Sequence, residues 1–134
     1  MRIGLDTSVV LRLLTGEPEA QALCALEAFE DAIGRGATLL VSDLVVSEVY
    51  FALQFHYGVA KAEAVAVLAR FFRESGVRPL GSAAAVLAGR DLPTAKPGFV
   101  DRLIHAEYRR AAGEVLTFER AAGRLAGVRV LAAR

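Results

Sequence analysis

Four acidic residues of this 134-residue chain stand where an acid is hard to explain as surface decoration. Asp6 ends the short apolar run Arg2–Leu5 and precedes Thr7 and Ser8. Glu48 is set among Leu44, Val45, Val46, Val49, Tyr50 and Phe51, Asp101 follows Phe99-Val100, and Glu119 lies just past Val115-Leu116-Thr117-Phe118. Carboxylates gathered in a partly apolar cleft repel one another, and a divalent cation relieves that repulsion. Ligands that are all oxygen select Mg²⁺ or Mn²⁺. Such a site suits phosphodiester hydrolysis, because the cation polarises the phosphoryl oxygens and lowers the pKa of bound water.

Each acid also has an ordinary role to weigh. Asp6 before Thr-Ser is a good helix N-cap, and Asp43 after Val41-Ser42 reads as a cap rather than a ligand. Asp101 and Glu119 could be first-turn acids facing a helix macrodipole. Glu48 has the weakest ordinary explanation, since an isolated acid in an otherwise apolar helix needs a reason. Lys96 and Arg102 are candidate phosphate contacts. Cys24 and His105 read as partly buried helix residues rather than reagents.

The elements that must position these groups follow from periodicity. Arg2–Leu5 reads as a strand, and Thr7 and Ser8 open a short helix that Gly16 and Pro18 close. A helix over Glu19–Gly34 leads to a strand at Thr38–Val41, and helices are predicted over Leu44–Tyr57 and Ala60–Glu74. A weak strand at Val77–Leu80 follows, then a helix Ala83–Gly89 with Ser82 as its N-cap. Arg90–Pro97 is a loop, Phe99–Ala112 a helix, and Glu114–Thr117 and Val128–Leu131 are strands with a short helix between them. Strands alternating with helices imply an α/β, three-layer α/β/α fold with a short, mostly parallel central sheet. No linker, repeat or low-complexity segment interrupts it, so residues 1–134 are expected to form a single domain.

In such a sheet, ligands bind beyond the carboxyl ends of the strands. Asp6 and Asp43 end the first two strands, Asp101 is near the start of the helix after the Pro-rich loop, and Glu119 lies just past a later strand. Glu48 is about one and a half turns into its helix, roughly 7 Å along the axis, and can still reach that edge.

Composition narrows the function classes. A net charge of +1 supplies no general attraction for a polyanion, so any hold on nucleic acid must be local. Cys24 is the only cysteine, and His56 and His105 are far apart in sequence, which excludes a disulfide framework and a Cys/His zinc site. No apolar stretch near Met1 resembles a signal peptide and nowhere do 18 consecutive apolar residues occur, so a cytoplasmic protein is expected. The helices at Leu44–Tyr57 and Ala60–Phe72 are more apolar than one sheet face requires, which suggests a protein interface.

The order Leu5-Asp6-Thr7-Ser8-Val9-Val10, Val41-Ser42-Asp43-Leu44-Val45-Val46-Ser47-Glu48, Phe99-Val100-Asp101-Arg102-Leu103-Ile104 and Leu116-Thr117-Phe118-Glu119 resembles the PIN domain. Within that family the likeness is to VapC-type toxins of toxin–antitoxin pairs, over essentially the whole chain. By position, Asp6, Glu48 and Asp101 match the three acids that bind Mg²⁺ or Mn²⁺. Thr117 matches the small hydroxyl residue before the fourth acid, and Ser8 falls where the family often has Asn or Ser. Two departures stand out: Glu119 replaces the usual aspartate, and Gly98 stands where many members carry a further acid. The resemblance implies an endoribonuclease acting on RNA, a homodimer, and inhibition by a small antitoxin protein.

A haloacid dehalogenase phosphatase would need an aspartate at the position of Ser8, and a receiver domain would need an acid pair after its first strand; neither is present. A non-catalytic PIN-fold binding module is the other reading from this family. A structure-specific DNA nuclease on the same fold would need insertions that 134 residues do not accommodate.

Overall fold

A computed structural model describes residues 1–133 and shows an α/β fold whose paired strands all run parallel. Strand β1 (Arg2–Gly4) leads through helices α1 (Thr7–Thr15) and α2 (Glu19–Gly34) to β2 (Thr38–Val41). Helices α3 (Asp43–Phe55) and α4 (Lys61–Glu74) then lead to β3 (Arg78–Pro79). After α5 (Ala83–Leu87) and a 3₁₀ turn at Leu92–Thr94 comes α6 (Phe99–Arg109), and β4 (Val115–Thr117) and β5 (Val128–Val130) flank a second 3₁₀ turn. This is the expected three-layer class. The hydrogen bonds fall into two ladders, β1-β2-β3 and β4-β5, rather than one continuous sheet.

The predicted elements are found in order, Glu19–Gly34 and Thr38–Val41 with the predicted bounds and the others with ends shifted by one to three residues. Leu44–Tyr57 becomes Asp43–Phe55, and Phe99–Ala112 stops at Arg109. The all-round hydrophobicity of α3 divides cleanly between two environments. Val46, Val49, Tyr50 and Leu53 are buried, whereas Leu44, Phe51 and Phe55 are exposed on the same helix. Phe99, Leu68, Val10, Val41, Val46 and Val49 are the largest fully enclosed side chains, so the core lies where α1, α3, α4 and α6 meet β2. None of the described helices is long and apolar enough to cross a membrane. Cys24 is exposed on α2, contrary to the partly buried position expected for it.

The cap of α5 also differs from expectation. Ser82 has φ −101° and ψ 2°, outside the extended conformation that an N-cap side chain needs, and it makes no capping bond. Asp43, from the first turn of α3, supplies the cap instead: Oδ2 accepts from Ser82 N and Oδ1 from Ala83 N, both at 3.0 Å. Asp43 is thus a cap, but of a helix forty residues downstream rather than of its own, where Ser42 Oγ accepts from Val45 N. Arg110 Nη2 stands 3.9 Å from Asp43 Oδ2 and ties the end of α6 to the same carboxylate. Gly81 makes the approach possible, since a Cβ there would lie 2.5 Å from Asp43 Cγ.

Hydrogen bonds to a charged acceptor contribute about 1.5–3 kcal/mol each. Asp43→Ala is therefore expected to destabilise the fold by about 2–4 kcal/mol in urea unfolding, because two amides lose their acceptor. Gly81→Ala should lower stability in the same direction by displacing the carboxylate, and a double variant should lose little more than Asp43→Ala alone.

Tyr50 is buried and meets Phe99 edge-on, with ring centroids 5.0 Å apart. Burial raises its phenol pKa above the ordinary 10.0, and a hydrogen bond with Gln54 partly opposes the shift. The unfolded chain therefore loses this proton first as pH rises. The contribution is complete below pH 10.0 and is lost above it as pH climbs toward the folded value. Tyr50→Phe should accordingly flatten the alkaline fall in unfolding free energy, measured by denaturation on both sides of pH 10.0.

Candidate functional site

β1 and β2 pair with Ile3 opposite Leu39 and Gly4 opposite Leu40, and Leu5 N continues the ladder by donating to Leu40 O at 2.9 Å. Both strands therefore end at one edge, and α1 and α3 start there side by side. Asp6 is the N-cap of α1, with extended φ −82° and ψ 165°. Its Oδ1 accepts from Thr7 N at 2.8 Å. The hydroxyl of the same threonine donates to Glu48 Oε2 at 3.0 Å. Thr7 thus binds two carboxylates from different helices, one through its backbone and one through its side chain.

The capping and functional readings of Asp6 are compatible, since the cap occupies one carboxylate oxygen. Asp6 and Glu48 are both exposed and both supply hard oxygen donors suited to a divalent cation. Asp101 is exposed in the first turn of α6, and Glu119 is exposed at the start of the 3₁₀ turn after β4. Among the described residues, no three His, Cys, Asp or Glu side chains are grouped closely enough to hold a metal ion. The structure therefore unites Asp6 with Glu48 and leaves Asp101 and Glu119 outside that pair.

The remaining sequence-derived residues have distinct places. Thr117 Oγ1 accepts from Glu119 N at 3.0 Å and so shapes the turn that carries Glu119. Ser8 is exposed and lines a groove between α1 and α2 with Arg12, Gln21 and Cys24. Arg102 Nε donates to Pro97 O at 2.7 Å, which fastens the start of α6 to the Pro-rich loop. Lys96, in that loop, is exposed. His105 Nε2 is 2.7 Å from Ala126 O, linking α6 to the loop before β5.

Two features escaped the sequence reading. By residue type Thr7 carries no distinctive sequence signal, because a threonine at a helix start looks like an ordinary helix-opening residue. Its only signal is the position directly after Asp6, facing a helix whose only interior acid is Glu48. The second is a cleft of about 350 Å³ at Asp101, lined also by Phe51, Gln54, Lys61 and Gly98. Lys61 is in the first turn of α4, forty residues before Asp101, and no local pattern joins the two.

A comparison with curated proteins gives no match. The family model of the PIN domain matches residues 3–128, which include all four acids. With a match over nearly the whole chain and a parallel α/β fold that sets Asp6 and Glu48 beside the ends of its first strands, the protein belongs to the PIN domain family, whose fold is of the nuclease type.

Proposed function

We propose that this chain is a metal-dependent endoribonuclease, the toxin component of a toxin–antitoxin pair, hydrolysing phosphodiester bonds of RNA as a single cytoplasmic domain. The observation that carries the reading is the Thr7 bridge between Asp6 and Glu48 in a chain of a nuclease-type family. The Asp6 bond caps α1, but the bond from the Thr7 hydroxyl to an exposed Glu48 adds little stability and instead holds that carboxylate beside Asp6.

Asp6 and Glu48 would supply oxygen ligands to Mg²⁺ or Mn²⁺, and Asp101 and Glu119, which lie outside that pair, are the further acids of the proposed site. The cation supplies positive charge at the scissile phosphate and activates water for attack. The chain's own part is orientation. Thr7 Oγ1 fixes Glu48 through Oε2, Thr7 N fixes Asp6 through Oδ1, and Thr117 sets the turn of Glu119. The exposed Lys96 would meet a phosphate of the RNA, with Ser8 and Thr117 as further contacts. Arg102 would act on substrate through the loop it holds by Pro97 O.

A second copy of the chain and a small antitoxin protein are the proposed partners. Exposed Leu44, Leu80 and Ile104 line one cleft with Asp43 and Arg110, and that apolar surface supports a homodimer. The alternative, a non-catalytic PIN-fold binding module, draws on Asp101 and Glu119 lying outside the Asp6–Glu48 pair.

Purified protein free of antitoxin should cleave single-stranded and tRNA-like RNA with Mg²⁺ or Mn²⁺ and stop in EDTA. Asp6→Asn, at equal thermal stability, should fall to background; cleavage that persists in this variant would sink the carboxylate mechanism. No cleavage of any RNA, with no metal-induced rise in melting temperature, would favour the binding module. Thr7→Val keeps the shape and the backbone amide but removes the hydroxyl, and should weaken metal affinity about 10–100-fold in a calorimetric titration.

A further inference from the structure

Helix α3 carries two aromatic side chains that the core does not use, and one of them, Phe51, lines the cleft at Asp101. Phe55 is 77% exposed and Phe51 44% exposed, one helical turn apart. Their rings stack with centroids 6.2 Å apart and an interplanar angle of 24°. Phe51 meets Tyr50 edge-on at 5.4 Å, and Tyr50 meets Phe99 edge-on at 5.0 Å. Phe99 and Tyr50 are buried, so the exposed rings end an aromatic series that begins in the core. Phe51 also lines the cleft that contains Asp101, Lys61 and Gln54. The Lys61 ammonium lies 3.8 Å from the Cβ position of Gly98, at the rim of that cleft.

Resting on the ribonuclease reading above, we propose that Phe51 and Phe55 form a stacking platform for unpaired RNA bases, with Lys61 holding the adjoining phosphate. Every base presents a π face, so stacking on aromatic rings combined with a backbone cation is how single strands are bound without sequence readout. The cation is local, which fits a chain whose net charge is only +1. A protein partner fits this patch less well. The proposed dimer surface of Leu44, Leu80 and Ile104 lines a different cleft, whereas Phe51 shares its cleft with a cation and an amide side chain. Lys61 and Gln54 line the same cleft as Phe51, so polar groups border that ring as a nucleotide's sugar and phosphate require. The platform would retain the substrate strand beside Asp101 and favour unpaired over duplex RNA, whose bases are already stacked on one another.

The test is fluorescence anisotropy with a short labelled single-stranded RNA and an abasic strand of equal length, in the Asp6→Asn background so that neither is cut. Phe55→Leu and Phe51→Leu should weaken binding of the base-bearing strand about 5–100-fold, the range for losing one stacked base, and leave the abasic strand unchanged. Lys61→Gln should weaken both strands and reduce the salt dependence by about one phosphate contact. Circular dichroism and thermal unfolding establish that each variant is folded. Equal binding by wild-type and phenylalanine variants, with metal-dependent cleavage intact in the Asp6 enzyme, would overturn the platform and leave the nuclease standing. Conversion of a dimer to monomer by Phe55→Leu, with RNA affinity unchanged, would assign the rings to a protein interface and also overturn it. If the Asp6 enzyme neither cuts nor binds RNA, the ribonuclease reading falls and the platform with it.

Discussion

The candidate site depends first on the register of two short strands. Because β1 and β2 are parallel neighbours with Gly4 opposite Leu40, their chains leave the sheet at the same edge. The helices that follow must then start side by side, and a residue in the first turn of α1 comes within hydrogen-bonding distance of one in the second turn of α3. A one-residue slip would turn Leu39 and Val41, both buried, toward the opposite face. The core therefore specifies the register, and the register specifies the meeting of Asp6, Thr7 and Glu48.

Helix α3 serves two purposes with acids five residues apart. Asp43 faces β3 and α5, where two amides and Arg110 engage its carboxylate. Glu48 faces α1, where a single hydroxyl holds one oxygen. The difference is one of saturation: Asp43 is enclosed by partners that define the fold, whereas Glu48 retains an exposed carboxylate. Sequence proximity to a strand end would favour Asp43 as the functional acid, and hydrogen bonding favours Glu48.

Much of the fold was legible because periodicity reports burial directly. Val46, Val49, Tyr50 and Leu53 recur at helical spacing, and all are buried. Asp6 and Glu48 were legible as well, each being an acid at a strand end or within an apolar helix. What stayed hidden came from contacts between distant segments. The capping of α5 by Asp43 depends on a Gly81 that carries no turn signal of its own, having no positive φ, and on a close approach that only the folded chain brings about. The family resemblance points to the Ser8 hydroxyl, but the start of α1 turns Thr7 toward Glu48 and Ser8 toward α2. Lys61 and Asp101 come to line one cleft only because α3, the start of α4 and the start of α6 converge in the folded chain. Strand ends in principle direct four acids to one edge, yet the folded chain joins only Asp6 and Glu48 through Thr7 and leaves Asp101 and Glu119 outside that pair.

Phe99 adds a consequence for how this architecture tolerates change. Its ring is 1% exposed and locked against Tyr50, two residues before Asp101. The axial position of Asp101 is thus set by the core rather than by the long connection that precedes it. Within that connection Leu92 and Pro97 are buried, while Ala88, Gly89, Arg90 and Asp91 are exposed. Evolution is free to lengthen or recompose the stretch around residues 88–91, where an insertion would extend into solvent without moving the acid. Divergence among relatives in the reach of this edge would therefore concentrate in a segment that the carboxylate geometry does not feel.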